Sequence, residues 1–421
     1  MTFDLAKLFP ESSRIDGSAP EEARADWLSI PGKGAVYLLV GEEAGAEKAM
    51  LLATVGDLRA ALRRRLADTP AELKSKRVEY GKICTRVYWR RVDSGFAADW
   101  WYWHAAKALF PGAYRGMIGW RNSWWVGVER AGVTPFPRFR KTSQISDGRL
   151  AYAGPVRDKH AAQRLVESLE DLFDLCRYHE ILVQAPRGKA CAYKEMGKCP
   201  APCDGTVPLE QYRGQVDAAL AFAGNENRGA WRRDLENAMR DAAAKLEFEK
   251  AGRLKQRLTR AGVLENEALA FLGPLEDFAF LALLPGKGKT AFEAWIFSGA
   301  GGGRAACVGQ FAYKELEAAA EVLARRCAAL MQGQQTVRAF DERGTEEAAI
   351  VAHHLFKGER EDGVWLQLHE ARDAGAIVRA AEELRNRKKP APMAEQASDG
   401  TKAGNEPSFA YEENNVPPAD K

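Results

Sequence analysis

The residues of this chain best suited to chemistry are four thiols. Cys191, Cys199 and Cys203 lie in KACAYKEMGKCPAPCDG (residues 189–205), spaced C-x7-C-x3-C among glycines and prolines, and Cys176 precedes them. Four thiolates are the number that a tetrahedral metal or an iron–sulfur site uses, and Gly/Pro-rich turns let sulfurs converge without a regular scaffold. The same residues read alternatively as half of a disulfide framework or as four small buried hydrophobes. Seven cysteines, unevenly placed in 421 residues, are not a disulfide-scaffold composition, and they point to metal or core thiols in a reducing compartment. Cys199-Pro-Ala-Pro-Cys203 has little apolar surface to bury, which favours a metal or cluster, with zinc as the alternative occupant. Cys84, Cys307 and Cys327 fall in expected strands or helices and read as core.

A second candidate surface is basic and aromatic. Residues 57–141 hold 18 Lys and Arg against 7 Asp and Glu, a local excess of 11 in a chain whose net charge is +3. LRAALRRRL, KSKR, YWRR and FPRFRK fall there, interleaved with Trp, Tyr and Phe. Cations neutralise phosphates and aromatic faces stack on bases, so Arg63, Arg64, Arg90 and Arg91 are candidate DNA contacts. An ordinary solvated face of an α/β domain would show the same charges. PGKGKT (285–290) lacks the glycine that a phosphate-binding loop needs five residues before Gly288, and reads as a basic hairpin turn. His353-His354 reads as surface or packing. No stretch is long and apolar enough to span a membrane, and the N-terminus lacks the order of a secretory signal, so a cytoplasmic location is expected.

The elements that must position these residues suggest several domains, because 421 residues exceed what one core usually serves. GAVYLLVG, MLLATVG and RVYWRRV read as strands. LRAALRRRLAD and AADWWYWHAAKALF read as helices, and SWWVGVERAG as a further strand. Residues 30–150 are thus expected to form a small α/β unit with a mixed sheet and helices. A helix over 158–176 leads to the cysteine segment, 151–207. Residues 208–265 read as helical, with Leu235, Ala238, Ala242 and Leu246 on one face and Ala251, Leu254 and Leu258 on another. That pattern predicts an antiparallel hairpin with its break near Glu247-Phe248. Residues 266–386 read as an α/β extension: FAFLALL and AFEAWIF as strands, YKELEAAAEVLARRCAAL as a helix. The tail 387–421 has the composition of a disordered segment.

Three stretches, in this order, resemble the UvrC family of excinuclease subunits. YAGPVRDKHAAQRLVESLEDLFDLC (152–176) is similar to the family's Gly-Pro turn and the helix leading to a first cysteine. CAYKEMGKCPAPCDG is similar to its cysteine signature, and LEFEKAGRLKQRL (246–258) looks like the UVR motif. The resemblance implies a [4Fe–4S] cluster on Cys176, Cys191, Cys199 and Cys203. It also implies a UvrB-type partner at Phe248, Ala251, Leu254 and Leu258, with Glu249 at the edge. The residues after 265 look too few for the family's RNase H-like nuclease, so a short family member is expected.

A weaker match is to the family's N-terminal GIY-YIG nuclease domain, which would incise DNA beside a lesion with Mg²⁺ or Mn²⁺. Tyr37 fits its first tyrosine, and Arg65, or Arg64 with a shift of one, its arginine. Thr54 stands where the second tyrosine belongs, and Asp57 where a lysine usually follows the glycine. Tyr102 occupies the place of the metal-binding glutamate, with Asp99 and His104 nearby, and Arg115 or a neighbour replaces the asparagine. A phosphodiesterase lacking the water-activating phenol and the metal carboxylate loses many orders of magnitude in rate. The expectation is therefore this fold with degraded chemistry, and the alternative function is a non-cutting DNA-binding adaptor.

Overall fold

The structure, a computed structural model, describes residues 5–43, 45–68, 78–146, 148–225, 228–332, 338–358, 362–387 and 396–399. The chain divides into two compact units, residues 1–119 with 391–421, and residues 120–390. The division at Gly119/Trp120 falls thirty residues before the boundary expected at 150. The reason is pairing: the strand at 124–129 bonds to one at 150–156 rather than to the first sheet.

The first unit opens with the short helix α1 (Leu5–Leu8) and strands β1 (Glu11–Arg14), β2 (Ala35–Glu43) and β3 (Ala46–Val55). Helices α2 (Leu58–Leu66) and α3 (Tyr80–Ile83), strand β4 (Cys84–Arg91), and helices α4 (Gly95–Leu109) and α5 (Tyr114–Met117) follow. The sheet order is β1-β4-β2-β3, closed at the β3 edge by Gln396–Asp399 from the tail. Every pair is antiparallel, so the sheet is not the mixed one expected. A strand in the tail also departs from the disorder expected there; the rest of that tail lies outside the described residues. Alternation places Ala35, Tyr37 and Leu39 under α2, sharing a core with Leu58, Ala61 and Leu62. Val36, Leu38 and Leu52 face the other way, where α4 covers β2 and β3. Asp57, at the position that looked anomalous, is the N-cap of α2 and accepts from Ala60 N–H at 2.9 Å.

The second unit begins with strands β5 (Trp124–Glu129), β6 (Arg140–Thr142) and β7 (Leu150–Val156), then helix α6 (Lys159–Leu172). YAGP lies inside β7 rather than in a turn. Gly154 is required there because a Cβ would stand 2.5 Å from Trp125 Cε3. Asp158 caps α6 with bonds from His160 and Ala161 N–H. The short helices α7 (His179–Leu182) and α8 (Ala192–Glu195) carry the cysteine segment, and α9 (Leu209–Ala223) packs back beneath it. Next come α10 (Arg228–Ala244) and α11 (Phe248–Ala261), the expected hairpin, turning over 245–247. Strand β8 (Gly273–Pro274) completes a sheet ordered β6-β5-β7-β8.

The extension supplies a third antiparallel sheet, β11-β10-β9-β12, from β9 (Ala279–Pro285), β10 (Ala291–Ser298), β11 (Arg304–Ala312) and β12 (Val364–Gln367). PGKGKT makes the β9–β10 hairpin as read from sequence. Helices α12 (Leu316–Gln332) and α14 (Ala374–Asn386) cover one face through Leu323, Cys327, Ile377 and Ala381. Helix α13 (Glu342–Leu355) packs against β11, where buried Glu347 accepts from Ala305 N–H at 2.7 Å. His354, on α13, is fully buried, with Lys357 Nζ 3.2 Å from its Nδ1. Cys84 and Cys327 are core thiols as expected, whereas Cys307 is exposed on β11.

Candidate cofactor centre and docking hairpin

The four thiols are delivered by loops that helices pin at both ends. At the end of α6 the backbone passes through Asp174 (φ 52°), and Leu175 N–H bonds to Glu170 O at 2.9 Å. This turn sets Cys176 inward, where its N–H donates to the Tyr212 hydroxyl of α9 at 3.4 Å and its Sγ lies 3.4 Å from Tyr178 O. Cys203 sits on a short 3-10 turn closed by Gly205 (φ 81°), and its carbonyl accepts from Gly188 N–H at 2.8 Å. Cys191 is the residue preceding α8. Lys194 on that helix bonds Asp204 at 2.6 Å and Thr206 at 2.8 Å, stapling the Cys191 helix to the Cys203 turn. Asp204 is correspondingly held down at about 2 by Lys194 and Thr206.

Charge makes the thiols unequal. Cys176 and Cys199 share a sulfur–sulfur hydrogen bond, which lowers Cys199 below the ordinary thiol value and raises Cys176. Ala201 N–H and the nearby Arg177 guanidinium add to the lowering of Cys199. Arg177 is itself held over the Tyr193 ring at 4.4 Å and paired with Asp171. Burial, then the neighbouring Cys199, raises Cys203. One sulfur is thus poised as a thiolate beside protonated partners, the state from which soft-metal ligation starts.

The donor set of four free thiols fits a thiolate-held group, either a single tetrahedral metal or an iron–sulfur cluster. Sequence reasoning missed Tyr212, Arg177 and the Lys194–Asp204 pair, because only tertiary contact brings them to the thiols.

The hairpin is tied to this centre. Arg257 on α11 donates to Leu172 O and lies 3.9 Å from Asp174. Ala251, Leu254 and Leu258 are half-buried on α11, which packs against α10 and α6. Phe248 and Glu249 are exposed, Phe248 at 68%. Leu246, read from sequence as part of an interior stripe, leaves the helix at φ 59° and is 72% exposed. The tip therefore presents two large apolar side chains to solvent.

The other candidates are placed less openly. Tyr37 is fully buried in the core under α2, opposite Ala53 and Trp89, and Thr54 and Tyr102 are also buried. A phosphodiester has no access to Tyr37 in this conformation. Arg65 is half-buried on α2, whereas Arg63 and Arg64 are exposed, Arg63 lying 5.4 Å over Trp27. Arg90 is spent on the fold. It donates to the Leu8 and Lys7 carbonyls and stacks 3.8 Å over Trp101, and burial lowers its pKa. Arg91 pairs with Asp93 at 3.0 Å. The FPRFRK loop instead brings exposed Arg138 and Arg140 beside Arg149 and His179, whose pKa is lowered by burial and by Arg138.

Comparison with known proteins agrees with this architecture. Residues 124–222 match the UvrC/Cho excinuclease middle domain, and residues 232–262 match the UvrB/uvrC motif. UvrABC system protein C of Moorella thermoacetica is 34% identical over 136 residues, 32% of this chain and 22% of the relative. The same-named protein of Trichlorobacter lovleyi is 27% identical over 177 residues, 40% of this chain and 29% of the relative. That of Caulobacter vibrioides is 29% identical over 161 residues. The chain thus spans only about a quarter of the length of these curated relatives. No solved structure matches. Among the described residues, no helix is long and apolar enough to cross a membrane. Residues 124–222 are thus similar to a UvrC-type middle domain, and residues 232–262 to the UVR motif that follows it in chain order.

Proposed function

We propose that this chain is a nucleotide excision repair protein that docks on a UvrB-type partner and assists incision of damaged DNA without cutting it. The observation that carries the reading is one succession: a thiol-bearing middle domain, then a hairpin whose tip holds Leu246 and Phe248 in solvent. A two-helix hairpin buries little by itself, and an exposed apolar tip is what a partner would cover. The non-cutting role is supported by the burial of Tyr37 and by Thr54 and Tyr102 at the places of the second phenol and the metal carboxylate. A bound Mg²⁺ or Mn²⁺ would matter only if those residues acted.

Cys176, Cys191, Cys199 and Cys203 would hold a [4Fe–4S] cluster, with zinc as the alternative. When bound, such a cluster supplies a redox-active cross-link between loops that have no sheet of their own. Arg177 offsets thiolate charge beside Cys199, Tyr212 anchors the Cys176 backbone, and the Lys194–Asp204 pair holds the Cys191 and Cys203 turns together. Exposed Arg63 and Arg64 on α2, and Arg138 beside the Glu129-paired Arg140, would be the groups that meet DNA phosphates.

The test is nicking of lesion-bearing duplex DNA with Mg²⁺ or Mn²⁺ and a UvrB partner present. DNA and partner binding without a nick is the expected result. Nicking that depends on this chain would overturn the non-cutting reading, with its loss in Tyr37→Phe assigning the site, and absence of partner binding by the intact chain would overturn the docking role. Visible absorption and iron content of anaerobically purified protein test the cluster, which a colourless protein carrying stoichiometric zinc excludes.

A further inference from the structure

The second unit contains a groove that none of the roles above uses. It opens where the lead-in to β5 and the end of β7 face the C-terminal turn of α13, and its volume is about 850 Å³. Its floor is apolar: Val156, Ala349 and Ala352 line it, each at least 97% buried. One wall is aromatic, with Phe271 and Phe356 meeting edge-to-face at 5.2 Å between ring centres. The rim is cationic, set by Arg121, Arg157 and Lys357. Arg157 sits 5.3 Å over the Phe356 ring, so cation and aromatic face are offered together. Lys357 is held at the rim through the buried His354 ring, 3.2 Å from its Nδ1. Among the described residues one carboxylate lines the groove, Glu267, 3.8 Å from Arg157 on a side chain 90% exposed and so able to turn away.

These features sort ligand classes. A bare anion would satisfy the rim but leave the floor and the aromatic wall unused. A purely apolar molecule would fill the floor and leave three cations over its mouth. A planar ring carrying a phosphate uses both, the ring against Phe356 and the apolar floor, the phosphate against the guanidinium and ammonium groups. We propose that this groove binds a nucleotide unit, a base with its attached phosphate, presented either by an unpaired DNA strand or as a free nucleotide. The inference gives the extension after residue 266 a role, since α13 supplies the floor and Lys357 part of the rim. It does not rest on the docking hairpin or the thiol centre, and it stands or falls separately from them.

The experiment is calorimetric titration of the full chain with four probes: 5′-phosphorylated thymidine trinucleotide, the equivalent abasic phosphodiester, thymidine monophosphate and inorganic phosphate. Base stacking predicts that the trinucleotide binds at least about 5-fold more tightly than the abasic strand. Arg157→Gln and Lys357→Gln should each weaken trinucleotide binding and flatten its salt dependence, and Phe356→Ala should erase the preference for the base. Binding of the trinucleotide alone identifies a strand as the source, whereas monophosphate binding of equal strength identifies a free nucleotide. Equal affinity for abasic and base-bearing strands overturns the proposal. So does trinucleotide binding that Arg157→Gln and Lys357→Gln leave unchanged, or no binding of either nucleotide probe. The two rim variants lie outside the core, so they keep the test decisive if Phe356→Ala unfolds.

Discussion

Phe248→Ala separates docking from folding, because its ring lies largely in solvent at the hairpin tip. A phenylalanine carries roughly 150–250 Å² of surface, so at 68% exposure Phe248 leaves about 120 Å² for a partner to cover. At about 25 cal/mol per Å², covering it is worth about 3 kcal/mol. Alanine retains part of that contact, which leaves a loss of about 2 kcal/mol, or about 30-fold in Kd. The same exposure means that the fold gains little from the ring, so the variant's own stability should change by less than about 0.5 kcal/mol. Titration of a UvrB-type protein against native and variant chains reads the first quantity, and thermal denaturation of the isolated chains reads the second. Unchanged affinity would remove the tip from the docking surface. A Tm drop of several degrees would show that the ring is packed in solution, and the exposure on which the estimate rests would be wrong.

Two further perturbations test the second unit, one beside the thiol centre and one in its sheet. Burial pushes Glu170 up to about 7 although nearby Arg177 pulls it down, so the folded chain holds its proton more tightly than the unfolded one. The stability from that protonation is full below the unfolded value of about 4.3 and is lost as pH rises through about 7. Glu170→Gln should therefore match the native protein near pH 4 and exceed it by about 2 kcal/mol near pH 8.5, allowing for solvent screening; a Tm difference that does not vary with pH would refute this. Gly154→Ala places a methyl 2.5 Å from the Trp125 ring in the middle of β7, and overpacking of this kind costs about 1–3 kcal/mol. A denaturation midpoint equal to native would mean that Trp125 moves aside freely.

What was legible in the sequence was local. The cysteine spacing, the α10–α11 hairpin with its break before Phe248, and the basic β9–β10 turn each depend on residues close together in the chain, where periodicity and Gly/Pro placement suffice. Asp57 illustrates the limit. Its identity looked like damage to a motif, yet it caps α2, a role that emerges once the helix start is located. Tyr37 shows the limit more sharply, because a strand tyrosine reads the same whether its face is open or covered. The covering by α2 on one face, and by α4 on the other, comes from segments far along the chain.

By itself the sequence determined which groups exist to do chemistry: four thiols in order, a helical hairpin, and clusters of arginine. The tertiary structure decided which of them are available. It withdrew Arg90 into carbonyl bonds and Tyr37 into a core, put Leu246 into solvent, and set Arg177 and Tyr212 against the cysteines. The physical reason is that burial and electrostatic neighbourhood are properties of packing between distant segments. No spacing along one segment records which other segment will cover it.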